Sequence, residues 1–71
     1  MEITFDKSAD AVYLRFGKGK FAKNRKVDDS TILDLDAKDH LLGIELLNAS
    51  KRLNVKSLLN VRVKNLAAAN E

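Results

Sequence analysis

A two-residue alternation of apolar and polar side chains runs through most of the first 47 residues and constrains the fold more than any other feature. The segments MEITFD and ADAVYLRF both show it, with Ile3 and Phe5, then Val12 and Leu14, spaced two apart. This period matches an extended strand, whose successive side chains point to opposite faces. Asp and Ser fill the break between the segments and bond nearby backbone amides in turns. We therefore predict two antiparallel strands.

Three further strand segments follow. Residues 20–28 form a weak third strand after a Gly-Lys-Gly connection, residues 31–36 a fourth and residues 41–47 a strongly apolar fifth. Before the fifth, Asp39 or His40 can accept the positive φ that glycine usually supplies in a tight turn. Four hairpin links predict an antiparallel meander, with the sheet over residues 2–47.

The C-terminal part is expected to cover the sheet. Residues 48–66 read as a helical or mixed segment and residues 67–71 as a frayed tail. Asn48 suits a helix N-cap, and Asn54 can end that turn in a left-handed conformation. The apolar spacing favours a short helix over residues 55–60, then a strand or extended chain. The predicted class is α+β: mainly an antiparallel β-meander of about five strands under a short C-terminal helical segment, in one small domain, residues 1–71.

The strand phases divide the apolar residues between two faces. The core face takes Ile3, Phe5, Val12, Leu14, Phe16, Phe21, Val27, Leu33, Leu35, Leu42, Ile44 and Leu46. The opposite face keeps Tyr13, Ile32, Leu41 and Leu47. A contiguous exposed group of this kind is a candidate interface, which indicates a homodimer or another small protein partner.

Charges occur in blocks along the chain. Residues 15–26 carry six basic and no acidic residues, and residues 28–45 carry six acidic residues and one lysine. Residues 51–64 carry five basic residues and no acid. A register that pairs Val27 with Leu33 places Lys26 beside Asp34, so part of the basic block is expected to be neutralised across strands.

The basic stretch 15–26 is a second candidate functional feature. The possible nucleic-acid contacts are Lys18, Lys20, Lys23, Arg25 and Lys26. Interleaved with Phe16 and Phe21, these cations would bind phosphates with aromatic stacking if the rings were exposed. The rings are in phase with the core face, however, which favours solvated lysines that protect a sheet edge.

Length and composition limit the remaining classes. Seventy-one residues lie near the lower limit for a stable single core, so a partner would be useful. Cysteine is absent, which excludes disulfides and thiolate chemistry and suits a reducing compartment. No apolar run approaches the ~20 residues of a membrane span. We expect a cytoplasmic protein with no membrane partner.

Residues with catalytic potential are better explained by turns. The carboxylates of Asp6, Asp10, Asp28 and Asp29 lack the spacing of a calcium loop. His40 is the only histidine, which excludes a paired-histidine metal site. The glycines flanking Lys18 lack the spacing of a phosphate loop. We predict no catalytic, metal-binding or cofactor-binding residue, and no enzyme.

Two segments together resemble a known family: the opening run Met1-x-Ile3-x-Phe5-Asp6 with Ala9-Asp10-Ala11-x-Tyr13-Leu14, and Gly43-Ile44-Glu45 before Asn48-Ala49-Ser50. They resemble a family of small bacterial and archaeal proteins, the domain of unknown function numbered twenty-two eighty-three, over roughly residues 1–53. The resemblance implies a compact β-rich domain of unassigned activity, and some relatives look like antitoxin partners of small toxins. Asp39-His40 replaces the usual Asp-Gly turn.

The expected function is therefore a non-enzymatic interaction module that self-associates or binds a partner in an antitoxin-like manner. The alternative is nucleic-acid binding through residues 15–26.

Overall fold

The computed structural model describes residues 1–65 and contains a five-stranded antiparallel sheet. The strands are β1 (Glu2–Asp6), β2 (Ala11–Arg15), β3 (Lys23–Asp28), β4 (Thr31–Leu35) and β5 (Leu41–Leu47). A four-residue helix, α1 (Ala49–Arg52), and a 3₁₀ helix (Val55–Asn60) follow. The five predicted strands are confirmed, and β3 begins three residues later than expected. The helical pieces are small, so the expected helical cover over the sheet is minor.

The strand order corrects the predicted meander. The sheet runs β1-β2-β5-β4-β3, so β2 pairs with β5 and not with its sequence neighbour β3. This order puts the apolar β5 at the centre and the polar β3, all of whose residues are exposed, at an edge. Basic edge strands resist pairing with other sheets. The β2–β3 connection is anchored by amides of Phe16 and Ala22, which donate to the carbonyls of Leu42 and Leu35, each at 2.9 Å.

The register between β3 and β4 also differs from the predicted one. Arg25, not Val27, lies opposite Leu33, and Lys26 lies opposite Ile32. An irregularity between Lys26 and Asp28 takes Val27 out of the ladder, where its side chain is 63% exposed. A bulge of this kind adds a residue that no alternation pattern anticipates. As a result Lys26 lies 3.9 Å from Asp29 rather than beside Asp34.

Aspartates organise the turns. Asp6 Oδ1 accepts a hydrogen bond from the Ala9 amide at 3.1 Å in the β1–β2 turn. Asp36 Oδ1 accepts from the amides of Lys38 and His40, each at 2.8 Å, in the β4–β5 turn. Asp39, one of the two residues expected to accept a positive φ in that turn, adopts a φ of 66°.

The N-terminus of α1 is capped by a distant residue. Asn48 precedes the helix but has left-handed dihedral angles and no capping side-chain bond, contrary to the predicted N-cap role. Asp10 supplies the acceptors instead: its carboxylate accepts from the Ser50 amide at 3.0 Å and from the Ser50 hydroxyl at 2.7 Å. Asn54 is extended, with a φ of −80°, so the predicted left-handed end there is wrong. Residues 61–65 form no strand, and the predicted frayed tail, residues 67–71, lies outside the described residues.

The buried core is much smaller than the predicted core face. Among the described residues, Val12, Leu35 and Ala49 are the hydrophobic residues classed as buried. Of the side chains expected in the core, Phe5 is 40% exposed, Phe16 39% and Phe21 53%. Within residues 1–65 no helix is long and apolar enough to cross a membrane. A single sheet with short helical pieces therefore leaves much apolar surface open.

Candidate functional site

A side-chain hydrogen bond on the sheet surface joins β2 to β4 across β5. The Tyr13 hydroxyl donates a hydrogen bond to Asp34 Oδ2 at 2.8 Å, although β5 lies between their strands. Gly43 is the β5 residue opposite both Arg15 and Asp34. A Cβ at Gly43 would overlap the Tyr13 phenol and lie 2.7 Å from the Leu14 carbonyl oxygen. The absence of a side chain at Gly43 is thus what lets the tyrosine pass over β5.

The environment keeps this tyrosine protonated. Burial raises the pKa of Tyr13, and the hydrogen bond to Asp34 with its negative charge raises it further. The charge of Arg15 acts in the opposite direction. Tyr13 is therefore a stable hydrogen-bond donor at neutral pH and is poorly suited to act as a general base.

A cleft of about 370 Å³ opens beside this pair, between the sheet and the β2–β3 connection. Its lining combines cations, aromatic rings and one carboxylate: Tyr13, Arg15, Gly17, Lys18, Gly19, Phe21, Asp34 and Leu42. Arg15 and Lys18 form no ion pair with another residue in the range 1–65. The volume lies within the range of small-molecule sites. We call this group the Tyr13 cleft.

Three of the predicted interface residues, Tyr13, Ile32 and Leu47, lie near one another, and the fourth, Leu41, lies apart. Tyr13 and Ile32 both lie opposite Glu45, so they flank it on one face of the sheet. Leu47 is two residues further along β5, on the same face. Leu41 lies opposite Leu35, beyond a register irregularity, and is 42% exposed. That these residues form an interface stays a prediction.

The basic stretch divides into paired and unpaired cations. Lys23 forms a salt bridge with Asp39, and Arg25 lies 3.9 Å from the same carboxylate. Lys23 holds the pKa of Asp39 below its usual range, by hydrogen bonding first and charge second. Lys18 and Lys20 have no ion pair among residues 1–65. The exposure of Phe16 and Phe21 also corrects the expectation that the core removes both rings from solvent.

Asp28 and Asp36 accept hydrogen bonds from nearby backbone and side-chain donors. Ser30 donates its amide to Asp28 at 2.8 Å, and this bond is the main cause of the lowered pKa of Asp28. Asp36 also contacts His40 Nδ1 at 2.9 Å, and its pKa is lowered chiefly by the bond from the His40 amide. Across residues 1–65 no three potential metal ligands come together.

A second cluster of contacts ties α1 to the sheet at the opposite end of the strands. Arg52 donates to the Ser30 and Leu47 carbonyls and, at 2.7 Å, to Thr31 Oγ1. The side-chain amide of Asn48 donates through Nδ2 to Ser30 Oγ at 3.1 Å. With the Asp10–Ser50 contact, these bonds hold the β1–β2 turn, the β3–β4 turn and α1 together.

The sequence did not predict that Asp34 accepts a hydrogen bond from Tyr13, or that Gly43 leaves the space for it. The signal that could have found it is a lone glycine inside an apolar strand, since such a glycine often marks a close approach of another group to the backbone. Asp34 itself looks like any polar residue of an alternating strand.

A protein-family model described as "Protein of unknown function (DUF2283)" matches residues 2–50. The chain belongs to the DUF2283 family. The match confirms the family expected from the sequence, and it contains all five strands. It ends at Ser50, which is the residue that binds Asp10, so the two DUF2283 segments noted in the sequence contact each other in the fold. No curated protein and no solved structure matches the chain.

Proposed function

We propose that this DUF2283 chain is a non-enzymatic interaction module that self-associates, with a second copy covering the apolar face of the sheet. The observation that carries this proposal is the small core: Val12, Leu35 and Ala49 are the buried hydrophobic residues among residues 1–65. A sheet with one apolar face needs a second layer to cover it. The helical pieces of the described chain are too short to supply that layer.

The surface in question is defined by the strand register. Residues paired directly across strands share a face. The apolar face therefore contains Ile3, Phe5, Leu14, Leu33, Ile44 and Leu46, in addition to Val12. Apart from Val12, these side chains are half-buried or exposed. Covering them would remove apolar area from water, at about 25 cal/mol per Å².

The total surface supports a missing layer. A compact 7.9 kDa chain exposes roughly 4,400 Å² by the usual scaling with mass. This chain exposes 5865 Å² and is only 19 Å thick along its shortest axis. The exposed residues 61–65 contribute to this surface, and a standard interface buries roughly 800 Å² of each partner. The surface is therefore sufficient for a dimer.

Sedimentation velocity over a wide concentration range tests the proposal. We expect a dimer that Phe5→Asp converts to a monomer, because a carboxylate within an apolar interface would be desolvated. Val27→Asp is the matched control, since Val27 is also exposed but lies in the β3 bulge. Circular dichroism checks that both variants fold. A wild-type chain that stays monomeric at all concentrations overturns the proposal, as does dissociation by Val27→Asp alone.

The opposite face remains the interface predicted from the sequence, and a second pair of variants distinguishes it. Ile32→Asp and Leu47→Asp place charge on that face and leave the apolar face unchanged. A dimer that these variants dissociate and Phe5→Asp does not would assign self-association to the Ile32 face. If the chain does not self-associate but forms a complex with an added small protein, the result would favour antitoxin-like partner binding. Cytoplasmic location also stays a prediction.

A second candidate, nucleic-acid binding through residues 15–26, is favoured by one observation. Phe21 is 53% exposed beside Lys18 and Lys20, which have no ion pair within residues 1–65. Exposed aromatic rings and free cations are what single-stranded nucleic acids bind. Fluorescence anisotropy with a labelled oligonucleotide should show affinity that falls steeply with salt. Lys20→Glu should weaken it, whereas Lys7→Glu, in the β1–β2 turn, should not. Absence of binding at low salt removes this candidate.

A further inference from the structure

We propose that the Tyr13 cleft binds a mononucleotide, with the phosphate at Arg15 and Lys18 and an amino-bearing base at Asp34 and the Phe21 ring. This goes beyond self-association and lies elsewhere on the molecule. The register places Arg15, Tyr13 and Asp34 on the face opposite Leu14 and Leu33. A ligand in the cleft and a second copy on the apolar face would not compete.

The cationic end of the cleft fits a phosphate. Arg15 is exposed, and Lys18 belongs to the adjoining β2–β3 connection. Neither cation forms an ion pair with a carboxylate among residues 1–65, and Glu2 is the residue opposite Arg15 on β1. A guanidinium presents parallel N–H donors that match two phosphate oxygens, and a neighbouring ammonium adds a second charge. Two cations complement a doubly charged phosphate monoester better than a singly charged carboxylate.

The acidic end fits a hydrogen-bond donor. Asp34 is half-buried and has no ion pair within residues 1–65. Tyr13 donates to its Oδ2 atom, and a carboxylate can accept several hydrogen bonds in all. An exocyclic amino group of a base is a donor that could share this carboxylate.

The spacing of the two ends determines the size of the ligand. Arg15 and Asp34 lie opposite Gly43 on strands that flank β5, so their backbones are two strand spacings apart, ~9–10 Å. Inorganic phosphate alone is too small to reach both. The Tyr13 phenol lies over Gly43 between these two strands, so a planar ring that joins an anion to an amino group would lie on the outer side of that phenol. The exposed ring of Phe21, which also lines the cleft, offers a further stacking surface.

Nuclear magnetic resonance titration of the full chain with adenosine monophosphate tests the proposal. Tyr13 is the only tyrosine, so its ring signals report on the cleft without ambiguity. We expect Tyr13, Gly43 and residues of the β2–β3 connection to shift. Arg15→Gln and Lys18→Gln should each weaken binding by about tenfold, the loss of one charge-assisted contact. Lys20→Gln is the matched control, because Lys20 is a neighbouring lysine that does not line the cleft.

Separate titrations with adenosine and with inorganic phosphate distinguish the two ends of the ligand. Each should bind more weakly than the nucleotide if both ends contribute. Phosphate binding equal to the nucleotide, equal losses in Arg15→Gln and Lys20→Gln, or no shifts at millimolar nucleotide would each overturn the proposal. Variants of Lys20 separate this site from the nucleic-acid candidate. Lys20→Glu should lose affinity for an oligonucleotide, whereas Lys20→Gln should keep its affinity for the mononucleotide. Sedimentation in the same buffer reports self-association independently.

Discussion

Tyr13 and Asp34 are bonded to each other over the bare backbone of Gly43, with 2.8 Å between the phenol oxygen and Asp34 Oδ2. Their strands are not neighbours, so this contact links three strands with a single hydrogen bond. It also forms one wall of the Tyr13 cleft. The arrangement depends on three residues at once, and each can be altered separately.

Gly43→Ala should destabilise the chain by about 1–3 kcal/mol, the usual cost of overpacking. The new methyl group would meet both the Tyr13 ring and the Leu14 carbonyl, and the latter is backbone that cannot move aside. Urea unfolding followed by circular dichroism measures the loss. Gly17→Ala is the control, since open space surrounds Gly17 and its φ is not positive. Equal stability of the two variants would contradict this account.

Tyr13 should titrate above the ordinary phenol pKa of about 10, and the stability of the fold should depend on the protonation of this tyrosine. The folded state keeps the proton that the unfolded chain gives up, so this stabilisation is complete below pH 10 and is lost as the pH rises through the folded pKa. Phenolate absorbance measures the pKa of this single tyrosine. Asp34→Asn should lower the pKa towards 10, leaving the contribution of burial. An unchanged pKa in Asp34→Asn would indicate that the carboxylate has no influence.

Asp10 and Ser50 should show an energetic coupling of about 0.5–1.5 kcal/mol, because the Ser50 hydroxyl donates to the Asp10 carboxylate at 2.7 Å. A double-mutant cycle with Asp10→Gly and Ser50→Ala measures it. Glycine tolerates the φ of 52° at this position, so backbone strain does not enter. Ser50→Ala keeps the backbone amide, so the cycle isolates the bond between the Ser50 hydroxyl and Asp10. If the two single effects simply add, that hydroxyl bond contributes nothing to stability.

Asp36 should contribute to stability at neutral pH and lose that contribution in acid. Its pKa is lowered in the folded state, mainly by the hydrogen bond from the His40 amide. The unfolded carboxyl therefore takes up protons first, near the ordinary pKa of about 4, and stability falls as the pH drops further through the folded pKa. Asp36→Asn should flatten the pH dependence of unfolding below pH 4. A variant with the same slope as the wild type would assign the acid sensitivity to other carboxylates.

The strands were predictable because alternation is a local property, and Ile3, Phe5, Val12 and Leu14 display it without reference to the rest of the chain. The order of the strands was not predictable in this way. Whether β2 pairs with β5 or with β3 depends on side chains more than twenty residues away. The same distinction explains the caps: Asp6 acts within its own turn, whereas Asp10 acts on Ser50.

The prediction of the core face was wrong for a different physical reason. Phase along a strand indicates the direction of a side chain but not whether another layer exists to cover it. Phe21 lies outside the strands altogether, and Val27 is displaced by the β3 bulge, so neither follows the phase assigned to it. Two residues of the Tyr13 cleft were predicted from the sequence in other roles, Tyr13 at an interface and Lys18 as a nucleic-acid contact, whereas Asp34 and Gly43 became visible only when the register was known.

The pairing of β2 with β5 has a consequence for how quickly the sheet assembles. Ala11 lies opposite Leu47, so the middle of the sheet closes a long loop that includes β3 and β4. Loops of this kind raise the contact order and slow the search for the native topology. We expect the β4–β5 hairpin to form early, and the β1–β2 hairpin to dock on it in the rate-limiting step.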